Sequence, residues 1–184
     1  MEIVLASKSP RRQELLSVIT KDFIIDVPKG EEHCPESVPL FSRPQALARQ
    51  KAEEIAGKHK DKIVIAADTA VFCDDTMLGK PKTEEEAREM LHLLSGRTHT
   101  VITGCSIARG GSFEDFSVRT EVEFYPLDDE DIENYIKTGE SMDKAGAYGI
   151  QGKGSVLVKG IKGDYFNVVG LPVAELHKRL KKSI

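Results

Sequence analysis

Tryptophan is absent from this sequence, aromatic residues make up only 6% of it, and cysteine occurs three times. So few aromatic rings leave little material for the stacking platforms of an RNA-binding module, and that class ranks last. Cys34, Cys73 and Cys105 are odd in number and widely separated, which argues against a disulfide framework or a zinc cluster. The expected state is reduced, with Cys73 and Cys105 acting as small buried residues in apolar stretches. No segment approaches the roughly 18 uninterrupted apolar residues that a membrane span requires. Positive charge is not in excess: 26 Lys and Arg stand against 30 Asp and Glu, a net charge of −4. A general nucleic-acid binder would carry a basic surplus, so any anionic ligand must be met locally. The opening Met1-Glu2-Ile3-Val4-Leu5-Ala6 lacks a basic segment before its short apolar run and does not read as a signal peptide, so a soluble, cytoplasmic protein is expected.

What is present is an ordinary globular composition, 40% hydrophobic and 30% charged over 184 residues, for which a single domain spanning 1–184 is expected. Residues 2–6 read as a short buried strand and Ser9-Pro10 as the cap and first position of a helix. Residues 22–27 suggest a second strand. Pro28 to Leu40, with Pro28, Pro35 and Pro39 and no clear period, is a loop of a length that is often functional. Ser42-Arg43-Pro44-Gln45 has a capping-box arrangement for a helix to about Lys58, and Thr83-Glu84-Glu85-Glu86 opens another. Lys62 to Phe72 is a near-continuously apolar strand ending in Asp74-Asp75. His99 to Arg109 and Phe113 to Tyr125 form a hairpin across Gly110-Gly111. Asp128 to Lys137 is an amphipathic helix, Ala145 to Gly154 an irregular glycine-rich stretch, and Ser155 to Ile161 a strand. A last helix follows Gly170-Leu171-Pro172, with Val173, Leu176, His177 and Leu180 on its packing face. Strands alternating with helices, plus one long hairpin, indicate an α/β or α+β fold around a mixed sheet.

Three segments carry candidate chemistry. Ser7-Lys8-Ser9-Pro10-Arg11-Arg12 places hydroxyls, cations and helix N-terminal amides together, which suits a phosphate or, equally, a capped helix with a solvated basic turn. Asp68, in Ala66-Ala67-Asp68-Thr69-Ala70, interrupts an apolar strand; a carboxylate withdrawn from water needs a metal ion, a cation or strong donors. Lys80, in Leu78-Gly79-Lys80-Pro81, is the lysine expected near Asp68 if a hairpin returns the chain. Tyr148-Gly149-Ile150-Gln151-Gly152 is not a phosphate-binding P-loop, because the required GxxxxGK[ST] spacing is missing. No histidine pair has metal-ligand spacing, and His177 reads as a packing residue.

Taken in order, Leu5 to Arg12, Gln50-Lys51-Ala52, Ala67-Asp68-Thr69, Gly79-Lys80-Pro81, Leu94-Ser95-Gly96-Arg97-Thr98-His99 and Lys144 to Gly152 resemble the successive motifs of the Maf family of nucleoside triphosphate pyrophosphatases. The resemblance implies an extended mixed β-sheet with flanking helices, two lobes around a cleft, similar to inosine triphosphate pyrophosphatases, and a homodimer. It implies hydrolysis of a nucleoside triphosphate to the monophosphate and pyrophosphate. Arg12, Thr69 and Gln151 match the subgroup acting on dTTP, UTP and modified pyrimidine nucleotides, and they differ from the pattern of the 7-methyl-GTP subgroup. Asp68 and Glu31 would hold Mg²⁺ or Mn²⁺, with Glu32 the alternative loop acid, because Lys29-Gly30-Glu31-Glu32-His33 departs from the usual context. Ser7, Arg11, Arg12, Lys51 and Lys80 would meet phosphate oxygens, with Asp68, Lys80 and Lys51 the catalytic set, while Thr69 and Gln151 would face the base. The family's link to septum formation leaves another class open, a nucleotide-binding regulator of cell division without physiological hydrolysis.

Overall fold

The computed structural model describes residues 2–182. Its strands are β1 (Ile3–Leu5), β2 (Phe23–Ile25), β3 (Ile63–Cys73), β4 (Thr76–Leu78), β5 (Thr98–Arg109), β6 (Ser112–Phe124) and β7 (Val158–Lys162). Its helices are α1 (Pro10–Ser17), α2 (Arg43–Ala56), α3 (Glu84–Leu94), α4 (Asp129–Ile136), α5 (Tyr165–Val169) and α6 (Val173–Lys182). They build a seven-stranded mixed sheet in the order β2-β1-β3-β5-β6-β7, with β4 paired to β3. The β1 pairings with β2 and β3 are parallel, and the β3–β4 and β6–β7 pairings are antiparallel. The expected fold class is therefore found.

Among the described residues two compact units are distinguished, the first comprising 2–69, 103–118 and 170–182 and the second 70–102 and 119–169. In the first, α2 turns Ala52 and Ile55 onto Val4, Val64 and Ala66 of the adjoining parallel strands and onto Ala6 just beyond β1. Small alanines on both sides let helix and sheet approach closely. Gly104 tightens this contact, since a Cβ there would lie 2.2 Å from the Gln45 backbone nitrogen. In the second unit, α3 and α4 close a core of Leu91, Leu94, Val101, Val122, Phe124, Ile132 and Tyr148. Each such fully buried large side chain contributes roughly 1.5–3 kcal/mol relative to exposure. Thr83 caps α3 by accepting the Glu86 N–H at 3.1 Å, and Asp128 and Asp131 form a reciprocal capping box on α4.

Several expectations require correction. Ser42 makes no capping bond, because it lies in αR conformation at the end of a 3₁₀ turn (Leu40–Ser42) rather than in the extended form a capping residue needs. The strand expected from Ser155 starts only at Val158, and Gly152–Leu157 is 3₁₀ instead. His177 is exposed; the packing face of α6 is Val173, Leu176 and Leu180. The hairpin supposed before Lys80 returns as β4, only three residues long, and α5, of five residues, was not foreseen. The hairpin across Gly110-Gly111 is present, with both glycines at positive φ, 54° and 82°, as a tight two-residue turn demands.

Candidate functional site

Two residues beyond β1 lies Ser7, whose Oγ accepts the Ser9 N–H at 3.2 Å. Ser9 occupies the capping position of α1 without a side-chain capping bond, Pro10 fills the first helical position, and the first turn contains no acid. Arg11 and Arg12 thus sit at the positive end of a helix, an arrangement complementary to an anion. Arg12 is held by distant parts of the chain. Its Nε donates to the Gly170 carbonyl at 2.9 Å and its Nη2 to Thr69 Oγ1 at 3.1 Å. Thr69 Oγ1 in turn shares a 2.9 Å hydrogen bond with Thr103 Oγ1. A guanidinium fixed on two of its nitrogens has little rotamer freedom left to lose on binding a ligand.

Asp68 and Thr69 are the two partly exposed positions of the otherwise buried β3. The cation on Asp68 is Lys51 of α2, with Nζ 2.6 Å from Asp68 Oδ1. The same ammonium lies 3.0 Å from Glu32 Oε1. Lys51 and Asp68 side chains are only 13% and 16% exposed, whereas Glu32 is 54% exposed. Burial pulls the Arg12 guanidinium below its ordinary value, Asp68 being the strongest opposing influence; Cys105 and Glu32 act with Asp68, and Arg11 acts with burial. Arg11, Arg12, Glu32, Lys51 and Asp68 therefore form one electrostatic cluster in the first unit. Burial also pushes the Cys105 thiol up to about 12, despite Arg12 and Arg179. A thiol so raised stays neutral and is a poor nucleophile.

Of the two loop acids, the structure brings Glu32 to Lys51, while Glu31 offers its backbone carbonyl to Gln50 Nε2 at 3.4 Å. The donor set fits a hard divalent cation: Asp68 and Glu32 present carboxylate oxygens to a single positive centre, here an ammonium. Among the described residues there is no cluster of three or more His, Cys, Asp and Glu side chains suited to a metal. Such a site would depend on phosphate and water for its remaining ligands, which is how Mg²⁺ is usually held, by one or two carboxylates plus substrate.

Lys80 and Gln151 belong to the second unit. Lys80 is exposed just beyond β4, and Gln151 is half-buried in the glycine-rich segment. That segment is tied down on both sides of Gln151: the Gly149 N–H donates to Tyr135 Oη at 3.1 Å and the Lys153 N–H to the Glu140 carboxylate at 3.1 Å. Gly154 has no room for a side chain, since a Cβ would meet the Gly149 carbonyl oxygen at 2.2 Å.

The profile of the Maf-like protein family matches residues 2–183. The chain belongs to the Maf family. A dTTP/UTP pyrophosphatase from Halalkalibacterium halodurans is 49% identical over 97% of this chain and 94% of the relative. One from Carboxydothermus hydrogenoformans is 51% identical over 99% of this chain and 98% of its own length. Among solved structures, the Staphylococcus aureus Ham1 protein superposes with a TM-score of 0.59 at 16% identity over 100% of both chains. A HAM1 protein from Coxiella burnetii gives 0.55 at 16% identity over 99% of both. At that identity these two show a shared fold.

In this Maf chain, sequence reasoning missed Thr103 and the role of the Gly170 carbonyl. Thr103 is fully buried among the β-branched residues of β5, and its sequence context gives no sign of a polar partner. Gly170 reads as helix punctuation, although its carbonyl anchors Arg12. The membrane expectation stands in limited form: no described helix is long and apolar enough to cross a bilayer.

Proposed function

We propose that this Maf protein hydrolyses dTTP, UTP and related pyrimidine nucleoside triphosphates to the monophosphate and pyrophosphate. The observation that carries the reading is the Lys51 ammonium held between Asp68 and Glu32, in the electrostatic field shared with the anchored Arg12. The long matches to relatives named dTTP/UTP pyrophosphatases support the substrate class.

In this mechanism, Arg11 and Arg12 bind phosphate oxygens at the start of α1, and Ser7 adds a hydroxyl. Water attacks the α-phosphorus, the bond from that phosphorus to the bridging oxygen breaks, and its electron pair leaves on pyrophosphate. Asp68 accepts the proton of the attacking water. Lys51 holds Asp68 in place and offsets negative charge as the leaving group develops, a task of fixed electrostatics. Mg²⁺ or Mn²⁺ held by Asp68 and the loop acid would supply Lewis acidity toward phosphate oxygens. Between the two loop acids, the reading takes Glu32, on its contact with Lys51. Lys80 as a further phosphate contact, Thr69 and Gln151 as base-reading groups and a homodimeric assembly follow from the resemblance alone. An amide can donate and accept at once, which matches the edge of uracil or thymine. Thr69 also steadies Arg12, so its influence on substrate choice would be partly indirect.

The test is product analysis with dTTP, UTP and purine triphosphates in the presence of Mg²⁺ or Mn²⁺. Pyrophosphate should be the first phosphorus product, and Asp68→Asn should lower turnover by about a hundredfold or more. Orthophosphate as first product, or undiminished turnover in a folded Asp68→Asn protein, would refute the mechanism. Metal-dependent pyrophosphate release also separates an enzyme from a nucleotide-sensing regulator.

A further inference from the structure

Glu32 reaches Lys51 from a loop that burial does not hold, since residues 29–33 are all exposed. What fixes that loop is a pair of side chains on α2, one helical turn apart, that flank Lys51. Glu54 accepts the Lys29 N–H on Oε1 at 2.9 Å and the Gly30 N–H on Oε2 at 3.0 Å. Gln50 accepts the His33 N–H on Oε1 at 3.1 Å and donates from Nε2 to the Glu31 carbonyl at 3.4 Å. The Gln50 amide thereby brackets residue 32 by pairing with the backbone on both sides of it. Gly30 fits this arrangement, because a Cβ there would lie 3.0 Å from Glu54 Oε2. The two backbone N–H groups hold the Glu54 carboxyl below its usual range, ahead of the smaller influence of Lys58.

We infer that Gln50 and Glu54 are positioning residues: they clamp the 29–33 loop in the register that sends the Glu32 carboxylate, and not that of Glu31, to Lys51, the ammonium bonded to Asp68. The inference rests on the proposed hydrolase reading for its catalytic consequence, although the clamp exists independently of it. Without the clamp the loop gains freedom and Glu32 spends less time at the site. Loss of a group that orients a metal-binding side chain typically weakens metal affinity by about 10–100-fold.

The variants are Gln50→Ala, Glu54→Ala and the conservative Glu54→Gln, which keeps one acceptor and loses the other. Amide hydrogen exchange of the 29–33 segment, Mn²⁺ binding by calorimetry in the presence of a non-hydrolysable dTTP analogue, and steady-state kinetics over a range of Mn²⁺ are measured on each. Both alanine variants should exchange faster in 29–33 while the rest of the protein keeps its protection. Their Mn²⁺ affinity should fall by about tenfold or more, turnover at saturating Mn²⁺ should recover most of the loss, and Glu54→Gln should lie between wild type and Glu54→Ala. Unchanged exchange would show that no clamp operates, and faster exchange with wild-type Mn²⁺ affinity would show that the clamp does not position the acid; either overturns the inference. Failure of the wild-type protein to bind Mn²⁺ and release pyrophosphate would instead overturn the hydrolase reading, and the exchange measurement would still judge the clamp.

Discussion

Replacing Lys51 with methionine keeps an unbranched side chain one atom shorter and removes the ammonium that joins Asp68 to Glu32. The Lys51 and Asp68 side chains are largely buried, while Glu32 is half in solvent. Removing one partner of a fully buried ion pair costs about 3–5 kcal/mol, and the exposure here reduces the expected loss to about 2 kcal/mol. For a chain of this size, that lowers the melting temperature by about 4–8 °C. The two carboxylates then face each other without a cation, so a divalent ion competes with no resident charge. Mn²⁺ should bind Lys51→Met more tightly than wild type, by about tenfold, and at a hundred times its dissociation constant should restore about 2.7 kcal/mol. Turnover should nevertheless fall by about a hundredfold or more, because under the proposed mechanism the charge that offsets the leaving group is gone. Differential scanning fluorimetry across a Mn²⁺ series, paired with pyrophosphate release, reads all three effects. An Lys51→Met protein with wild-type melting temperature and the same Mn²⁺-induced shift as wild type would refute the claim that this ammonium holds the carboxylates together.

Thr103→Val keeps shape and deletes the hydroxyl that fixes Thr69 beneath Arg12, so about 1 kcal/mol of substrate binding should be lost; KM for dTTP should rise about fivefold with kcat little changed, and a change confined to kcat would contradict the assignment. Gly104→Ala drives a methyl group into the backbone at the start of α2 and should destabilise the protein by about 3 kcal/mol in urea unfolding, whereas wild-type stability would mean that α2 packs less closely. His99 is buried with Nε2 2.7 Å from Tyr148 Oη, and burial depresses it to about 4. The unfolded chain therefore takes up this proton first as pH falls below about 6.5; the stability contributed by neutral His99 is intact above that value and is lost progressively toward pH 4, by about 3 kcal/mol in all. In urea titrations between pH 7 and 4, His99→Phe should show a shallower decline than wild type, and parallel curves would refute the assignment.

Elements with strong local signals were readable before the structure. Thr83 and Asp128 announce the starts of α3 and α4, and Gly110-Gly111 announces the turn of the long hairpin. The misread positions lack such local control. Ser42 has the composition of a cap, but the preceding 3₁₀ turn places its backbone in the helical region. Ser155 to Leu157 look strand-like by composition, yet Gly152 sits at φ 64° and leads the chain into a 3₁₀ turn. Short elements such as β4 and α5 offer too few residues for a period to emerge.

The site shows a different limit, because its contacts join residues that are remote along the chain. Nearness in sequence, with a hairpin between, drew attention to Lys80 as a lysine near Asp68, while Lys51 entered only through the resemblance; the side chain hydrogen-bonded to Asp68 is Lys51, from the helix before the strand. A clue was nevertheless present. Ala48, Ala52 and Ile55 are, with Pro44, the buried positions of α2, and Lys51 lies three residues from Ala48 and four from Ile55, on the stripe that faces the sheet. A lysine on a buried helical stripe needs an anion as much as an aspartate in a buried strand needs a cation. When β3 follows α2 and pairs in parallel with β1, the helix must pack back across those strands, and the two unsatisfied charges become each other's partners. By the same logic, Glu32 was undecidable from its own neighbourhood, since Glu31 has the same chemistry; the choice lies in Gln50, whose amide reads the backbone on either side of the acid that reaches Lys51.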